Sequence, residues 1–265
     1  MNIIVCVKQV IDPEAPPSSF KIDPATNKAE MRGAPPVIDP YSEYAVEAAL
    51  KIKDAVGAKV IVLSLGAGLL REVIKKPLAM GADELVLLED DAYTGGDSVS
   101  VANALAAAIR KSGQFDLVLC GREASDTNAG QTGPGIAEIL GLPCITLIKK
   151  IEIKDGRVTV QRSNSEGYDI LETGMPVLMT ISNEIGEPRY PTIKGIMSAK
   201  KKEPVIWKPS DIGIDASKTG AAGRRSKLNK LYQPVHEAKC EFAEGNTPEE
   251  AGINLAVKLR EAKLL

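Results

Sequence analysis

Apolar and polar positions follow two different rhythms along this chain, and the change between them falls near residue 141. Before it, short continuous apolar runs alternate with helical-period segments. Residues 3–7, 59–64, 84–88 and 117–120 are such runs, the second ending at Gly66. Runs of this kind, bounded by turn residues, predict strands buried on both faces. Helices are predicted between them. Asp39 is placed as an N-cap with Pro40 at the first helical position, and Ala45, Val46, Ala48, Ala49 and Ile52 share one face of residues 41–54. A second helix from about Leu69 must stop or kink at Pro77. A third begins at Asp97 or Ser98 and runs through Ile109; a fourth opens between Thr132 and Gly135 and ends at Gly141. The proline-rich stretch between the first strand and Asp39 reads as an ordered excursion or hairpin. This βαβ rhythm predicts an α/β fold, a doubly wound and mainly parallel sheet covered on both faces.

After residue 141 the spacing changes. Residues 144–153, 157–162, 168–172 and 176–182 predict strands, read as antiparallel hairpins added to the sheet. Residues 183–204 read as a polar loop ending in three consecutive lysines, and 204–235 as irregular chain. A last helix begins at TPEE, with Thr247 as N-cap, Pro248 at N1 and Glu250 closing a capping box. Its stripe of Ala251, Leu255, Leu259 and Ala262 needs a cover on its own domain or on another subunit. The expected organisation is an α/β nucleotide-binding domain over residues 1–205, then a linker and C-terminal helical arm over 206–265.

Composition narrows the function. A formal net charge of −2 argues against nucleic acid as a partner, and no apolar run is long enough to insert in a membrane. The N-terminal MNIIVCVKQV has no basic leader region or cleavage site, which predicts a cytoplasmic protein. Cys6, Cys120, Cys144 and Cys240 are scattered, with no CxxC, so buried reduced thiols are expected rather than a metal site. The single histidine, His236, has no second histidine or nucleophile elbow beside it. The chain offers no catalytic constellation, and a non-enzymatic role is expected.

The ligand signal lies in FDLVLCGREASDTNAGQTGPGIAEILG, residues 115–141. A strand runs into Gly121, which would let a ligand approach the strand end. Ser125, Asp126, Thr127, Asn128, Gln131 and Thr132 supply donors and acceptors for ribose and phosphate. Ala129, Gly130, Gly133 and Gly135 are small enough for backbone N–H groups to face an anion. An ordinary glycine-rich βα connection has the same look, because no GxGxxG and no P-loop lysine is present. The tip of the first strand, Cys6 to Lys8, would lie beside this loop with backbone groups for an adenine edge. Tyr41, at the start of the first helix, adds an aromatic face. In EIGEPRYPTIKGIMSAKKK, Ile193, Ile196 and Met197 stand among polar residues, as in a partner-binding loop or a local apolar cluster.

Five segments in this order, VCVKQVID, DPYSEYAVEAAL, LAMGAD, DLVLCGREASDTNAGQTG and EPRYPTIKGIMSAKKK, resemble the β subunit of electron-transfer flavoprotein. The resemblance implies a heterodimer whose α subunit holds most of a redox-active FAD, with AMP bound structurally in the β subunit. Electron-bifurcating relatives hold a second FAD there and use NADH. The implied nucleotide site includes Cys6, Asp39, Pro40, Tyr41, Ser42 and Leu65, and the run from Gly121 through Arg122, Glu123 and Ala124 to Thr132. Tyr41 matches a position near the dimethylbenzene edge of the α-subunit flavin. Ile193 matches the anchor that docks on acyl-CoA dehydrogenase-type flavoenzymes, and the last helix matches an arm on the α subunit. The family's usual Asn is Asp39 here, a charge unfavourable beside phosphate unless it turns to the helix cap. Ala129 and Gly130 are as small as the bifurcating pattern, whereas PYSEYAVEAAL is closer to the AMP type; the reading taken is AMP. A free-standing adenine-nucleotide sensor is the other class left open.

Overall fold

A computed structural model describes residues 1–31, 33, 35–234 and 240–265, so His236 lies outside the described residues. They form two compact units, Met1–Lys230 and Leu231–Leu265.

The first unit opens with β1 (Asn2–Val7) and β2 (Gln9–Val10), then a hairpin of β3 (Phe20–Asp23) and β4 (Lys28–Met31), and β5 (Val37–Ile38), which pairs back onto β2. The expected excursion is therefore a hairpin held at its base by a two-residue ladder. Helix α1 (Pro40–Val56) returns the chain to β6 (Lys59–Gly66). Pro77 acts as expected: α2 (Arg71–Ile74) stops before it, and α3 (Lys76–Met80) restarts with the proline in its first turn. β7 (Glu84–Glu89), α4 (Ser98–Lys111), β8 (Leu117–Gly121) and α5 (Thr132–Leu140) complete the βαβ series, and Gly141 closes α5 in the left-handed conformation. β9 (Cys144–Lys154), β10 (Arg157–Asn164) and β11 (Gly167–Gly174) form the antiparallel extension.

Next comes β12 (Val177–Ile181), and here the expectation fails. It is not part of a hairpin. It runs back between β8 and β9, parallel to both. All five of its residues are buried, and a strand enclosed on both faces belongs inside a parallel sheet rather than at its antiparallel edge. Residues read as loop contain α6 (Ile193–Lys201), and residues read as linker contain β13 (Val205–Trp207), which adds to β7 in parallel. The nine-stranded sheet has the order β11-β10-β9-β12-β8-β1-β6-β7-β13. One face packs on α1, α2 and α3 through Val5, Val62, Leu87, Leu119 and Met179; the other packs on α4 and α5 through Ile4, Leu63, Leu88, Val118 and Leu178.

β1 sits at the point where the winding reverses, with β6 on one side and β8 on the other. Ligands bind at such a point, outside the carboxyl ends of the strands.

Chain beyond β13 stays tied to this unit through α7 (Gly220–Gly223) and the residues after it. Asp97 caps α4 with one carboxylate oxygen, taking the Val99 and Ser100 N–H groups. Its other oxygen takes the N–H groups of Arg225 and Ser226, at 2.7 and 2.8 Å. Burial works against the charged form, but the Ser100, Ser226 and Arg225 amides outweigh it and hold the carboxyl well below its ordinary range. A depressed value in the folded state means that the tie is at full strength above the ordinary carboxylate range. It weakens only when pH falls well below that range. Asp97→Asn keeps the cap oxygen but turns an amide NH2 toward two N–H donors. Hydrogen exchange at Arg225 and Ser226 is expected to speed up at neutral pH with little change in global stability; unchanged protection there would contradict the tie.

The second unit is dominated by α8 (Pro248–Glu261). Thr247 caps it by accepting the Glu250 N–H, but Glu250 reaches the N–H of Asn246 rather than that of Thr247, so the capping box is displaced by one residue. No residue of α8 is buried; Ile253, Leu255 and Val257 are all exposed.

Candidate functional site

The crevice expected where β1 and β8 end side by side is bordered by many, not all, of the residues singled out from the sequence. Its frame is the start of α1. Asp39 is fully buried. Its Oδ2 accepts the Ser42 N–H at 3.0 Å and the Ser42 hydroxyl at 3.2 Å, and its Oδ1 accepts the Ser125 N–H at 2.8 Å. The carboxylate thus faces the helix N-terminus, where the backbone dipoles favour negative charge, and fastens the β8 loop to α1. Asp39 shapes the crevice from beneath. Pro40, at N1, needs no donor there.

The tip of β1 is bound to the same helix. The Lys8 N–H donates to Ser42 Oγ, and the Lys8 carbonyl accepts the Asp39 N–H. Lys8 therefore has no spare backbone donor for an adenine edge, contrary to the expectation. Its side chain crosses the crevice instead, with Nζ 2.6 Å from Asp126. A second cation, Arg122, stacks over the Tyr41 ring at 4.8 Å and pairs with Glu123 at 2.8 Å. The aromatic face expected to be open to a ligand is covered on one side by this guanidinium.

Gly121 has a different role from the one expected. A Cβ there would stand 2.7 Å from the Tyr41 backbone and Cβ, so the residue is small because α1 packs on the strand end. Gly121→Ala is expected to push the two apart, lower stability by about 1–3 kcal/mol and loosen the β8 loop. Urea denaturation measures it; an unchanged midpoint would show that Tyr41 yields freely.

The loop itself divides in two. Ala124 accepts the N–H groups of Thr127 and Asn128 in a tight turn. Asn128 and Gly130 adopt positive φ, 46° and 61°, which asparagine and glycine tolerate best. Asp126, Thr127, Asn128, Ala129, Gly130 and Gln131 are exposed. Gln131 leads into α5 without a side-chain cap, so the first amides of that helix are left to other acceptors. Ser125 Oγ is buried and lacks a hydrogen-bond partner among the described residues. A hidden hydroxyl without a partner, one loop away from an uncapped helix start, is what a nucleotide's ribose or phosphate oxygens would satisfy. Thr132 begins α5, and Leu65 lies at the end of β6, on the far side of β1.

Cys6 lies directly opposite Cys120 on the neighbouring strand, and both are buried free thiols. The Cys6 contact, with burial behind it, pushes the Cys120 thiol well up, so Cys120 reads as inert wall. Cys144 and Cys240 are exposed, against the expectation of four buried thiols.

The second cluster is on α6. Thr192 caps it by accepting the Gly195 N–H at 3.0 Å, and a Cβ on Gly195 would overlap the Ala79 carbonyl oxygen, so α6 lies tightly on α3. Ile193 is 80% exposed, Met197 61% and Ile196 42%. Tyr190, absent from the sequence reading, is 93% exposed beside them. The sequence held a signal for it, an aromatic between two prolines of the same polar segment, but burial cannot be read from composition. The segment is held by Arg189, which grips the buried Glu47 of α1 through its backbone N–H, Nε and Nη2 at 3.0, 2.9 and 3.1 Å.

Comparison with known proteins gives the family of the chain. Residues 28–212 match the electron transfer flavoprotein domain family. The electron transfer flavoprotein subunit beta of Thermoanaerobacterium thermosaccharolyticum is 40% identical over 260 residues, 98% of each chain. That of Megasphaera elsdenii is 39% identical over 241 residues, 88% of each chain. The caffeyl-CoA reductase-Etf complex subunit CarD of Acetobacterium woodii is 36% identical over 266 residues, the full length of both. A family match over most of the chain, and 36–40% identity to these subunits over 88–100% of its length, identify the chain as a member of the electron-transfer flavoprotein family of electron carriers, on its β-subunit branch.

Proposed function

We propose that the chain is the β subunit of a heterodimeric flavoprotein that moves electrons between an acyl-CoA dehydrogenase-type flavoenzyme and a further acceptor in the cytoplasm. FAD, shared with an α subunit, supplies the redox chemistry, and AMP fills the β1–β8 crevice in a structural role. The observation that carries the nucleotide reading is the buried Ser125 Oγ, without a hydrogen-bond partner among the described residues, in the loop that leads to the uncapped start of α5. In this reading Asp39 holds the loop, and the α5 amides and Ser125 take the phosphate side, with the Lys8–Asp126 and Arg122–Glu123 pairs at its edge. The stack of Arg122 on Tyr41 fixes the aromatic edge presented to the flavin. The exposed stripe of α8 is the face for the α subunit. The CoA-thioester flavoenzyme as partner is supported by the name of the CarD relative, a subunit of a caffeyl-CoA reductase-Etf complex.

The alternative is a second FAD in the same crevice, as in a bifurcating protein using NADH. The small, exposed Ala129 and Gly130 favour it, because they leave room beyond a mononucleotide. Acid extraction of the purified heterodimer separates the two. One FAD and one AMP per dimer is the expected count; two FAD and no AMP would replace the carrier reading with the bifurcating one. Recovery of the native protein with no flavoprotein subunit would favour the free-standing sensor.

For partner docking, Ile193→Ala removes the most exposed branched side chain of α6. Electron transfer from the flavoenzyme is expected to fall by roughly 30-fold, about 2 kcal/mol for a lost anchor, with flavin content unchanged. Equal rates would remove Ile193 from the docking surface.

A further inference from the structure

Behind the exposed crest of α6 lies a groove of about 520 Å³, bounded by α6 on one side and by α2 and α3 on the other, with β5 and Pro36 at its end. Its apolar surface comes from Val37, Ile38, Val73, Ala79, Ile196 and Ala199. Ile196, grouped from sequence with Ile193 and Met197, faces this groove, and its lower exposure agrees with that.

The rim of the groove is cationic. Arg71, Lys75, Lys76 and Lys200 line it, against Glu72 alone among acids. Arg71 and Lys76 are held by Glu89 and Glu43, each at 2.5 Å, and Lys75 reaches the exposed Glu203 only at 3.5 Å. Lys200, with Lys194 and Lys201 on the same helix, has no carboxylate within ion-pair distance among the described residues. Of the cations lining the groove only Lys200 is therefore without a carboxylate among the described residues, and with Lys194 and Lys201 it makes α6 the positively charged wall of the apolar trough. Charge of this kind at the edge of an apolar surface selects a partner of opposite sign and speeds its approach.

We propose that the groove receives an amphipathic helix with acidic flanks from the redox partner, its apolar face lying between α6 and α2–α3. Helices in such grooves anchor through side chains spaced three and four apart, and two flanking helices provide parallel walls for them. The inference rests on the reading of α6 as the docking element and adds its second half. Ile193 and Met197 enter the partner, while the partner's helix enters the groove behind them.

The test uses the purified heterodimer and a fluorescein-labelled peptide of about four helical turns, with Leu at i, i+3, i+4 and i+7 and Glu on the flanks. A control peptide carries Lys in place of Glu. The expected result is a saturable rise in anisotropy with the Glu peptide, at Kd below about 1 mM. The Lys peptide is expected not to bind. Lys200→Glu, an exposed change that spares the core, should weaken the Glu peptide by roughly tenfold. Val73→Asp should abolish its binding, and Ile193→Ala should leave it unchanged. Absence of saturation, equal binding of the Lys peptide, or indifference to Lys200→Glu would overturn the groove. Electron-transfer rates with the acyl-CoA dehydrogenase-type enzyme separate the two readings. If Ile193→Ala slows transfer while Lys200→Glu and Val73→Asp do not, the docking helix stands and the groove falls. If none of the three slows it, both fall.

Discussion

Arg189→Ala is expected to lower stability by about 3 kcal/mol and to weaken partner-dependent electron transfer at the same time. The reason is Glu47. It lies on the buried face of α1, 3% exposed, and two of the three hydrogen bonds it accepts from Arg189 come from the guanidinium, the third from the backbone N–H. Removing the guanidinium leaves a carboxylate in a nearly dry position, and that loss exceeds the modest value of an exposed ion pair. Arg189 is a third exposed, which places the effect at the lower end of the range for buried pairs. Its second partner, Asp54, is on the surface and adds little. Arg189→Lys should not restore the loss, because one ammonium cannot copy the two-pronged grip. Glu47→Gln in the Arg189→Ala background should recover part of it, since the stranded charge is then gone. The functional effect follows from position. Residues 187–192 lead into α6, so freeing them loosens Tyr190 and Ile193 together. Urea denaturation of the single and double variants, with flavin reduction by the partner, tests both halves. Stability within about 0.5 kcal/mol of the parent would contradict the account.

Asp39→Ala is expected to be nearly as damaging, again about 3 kcal/mol, with nucleotide lost from the purified protein. Loss of an N-cap accounts for about 1 kcal/mol. The remainder comes from the Ser125 amide, which loses a charged acceptor at 2.8 Å and releases the β8 loop from α1. Asp39→Asn separates the two roles. The amide oxygen keeps one bond and the NH2 group faces a donor at the other, so about 1 kcal/mol is expected, with the fold retained. Nucleotide content after gel filtration, measured beside the denaturation midpoint, tells cap from loop. Retention of full nucleotide by Asp39→Ala would show that the loop holds itself.

The helices at α1, α4 and α5 were legible because their caps and apolar faces are local. Asp39 with Pro40, Asp97 with Ser100, and Gly141 each act within one turn of chain. The loop between β8 and α5 was legible for a similar reason, since a polar glycine-containing segment after an apolar strand is a local pattern. Gly121 was read correctly as a position that admits no side chain and incorrectly as to why: the neighbour is Tyr41, which only folding brings there. α6 was missed because Pro191 and Gly195 look like loop. Thr192 supplies the cap, and Gly195 is needed where α6 meets Ala79 of α3. β13 was missed because three residues carry too little periodicity to register; pairing with β7 makes them a strand.

By itself the sequence determined the α/β class, the βαβ order up to α5, the place of the β8–α5 loop and, through its resemblance, the flavoprotein family. Tertiary structure decided the rest. β12 joined the interior as a parallel strand because burial on both faces is a property of its neighbours, not of its own residues. Asp39 became a latch because its two oxygens meet Ser42 from the next turn and Ser125 from a distant loop. The cationic groove exists only where β5, α2, α3 and α6, scattered along the chain, are pressed side by side. Local patterns follow from backbone and side-chain chemistry within a turn or a strand, whereas contacts between remote segments are fixed only when the sheet closes them together.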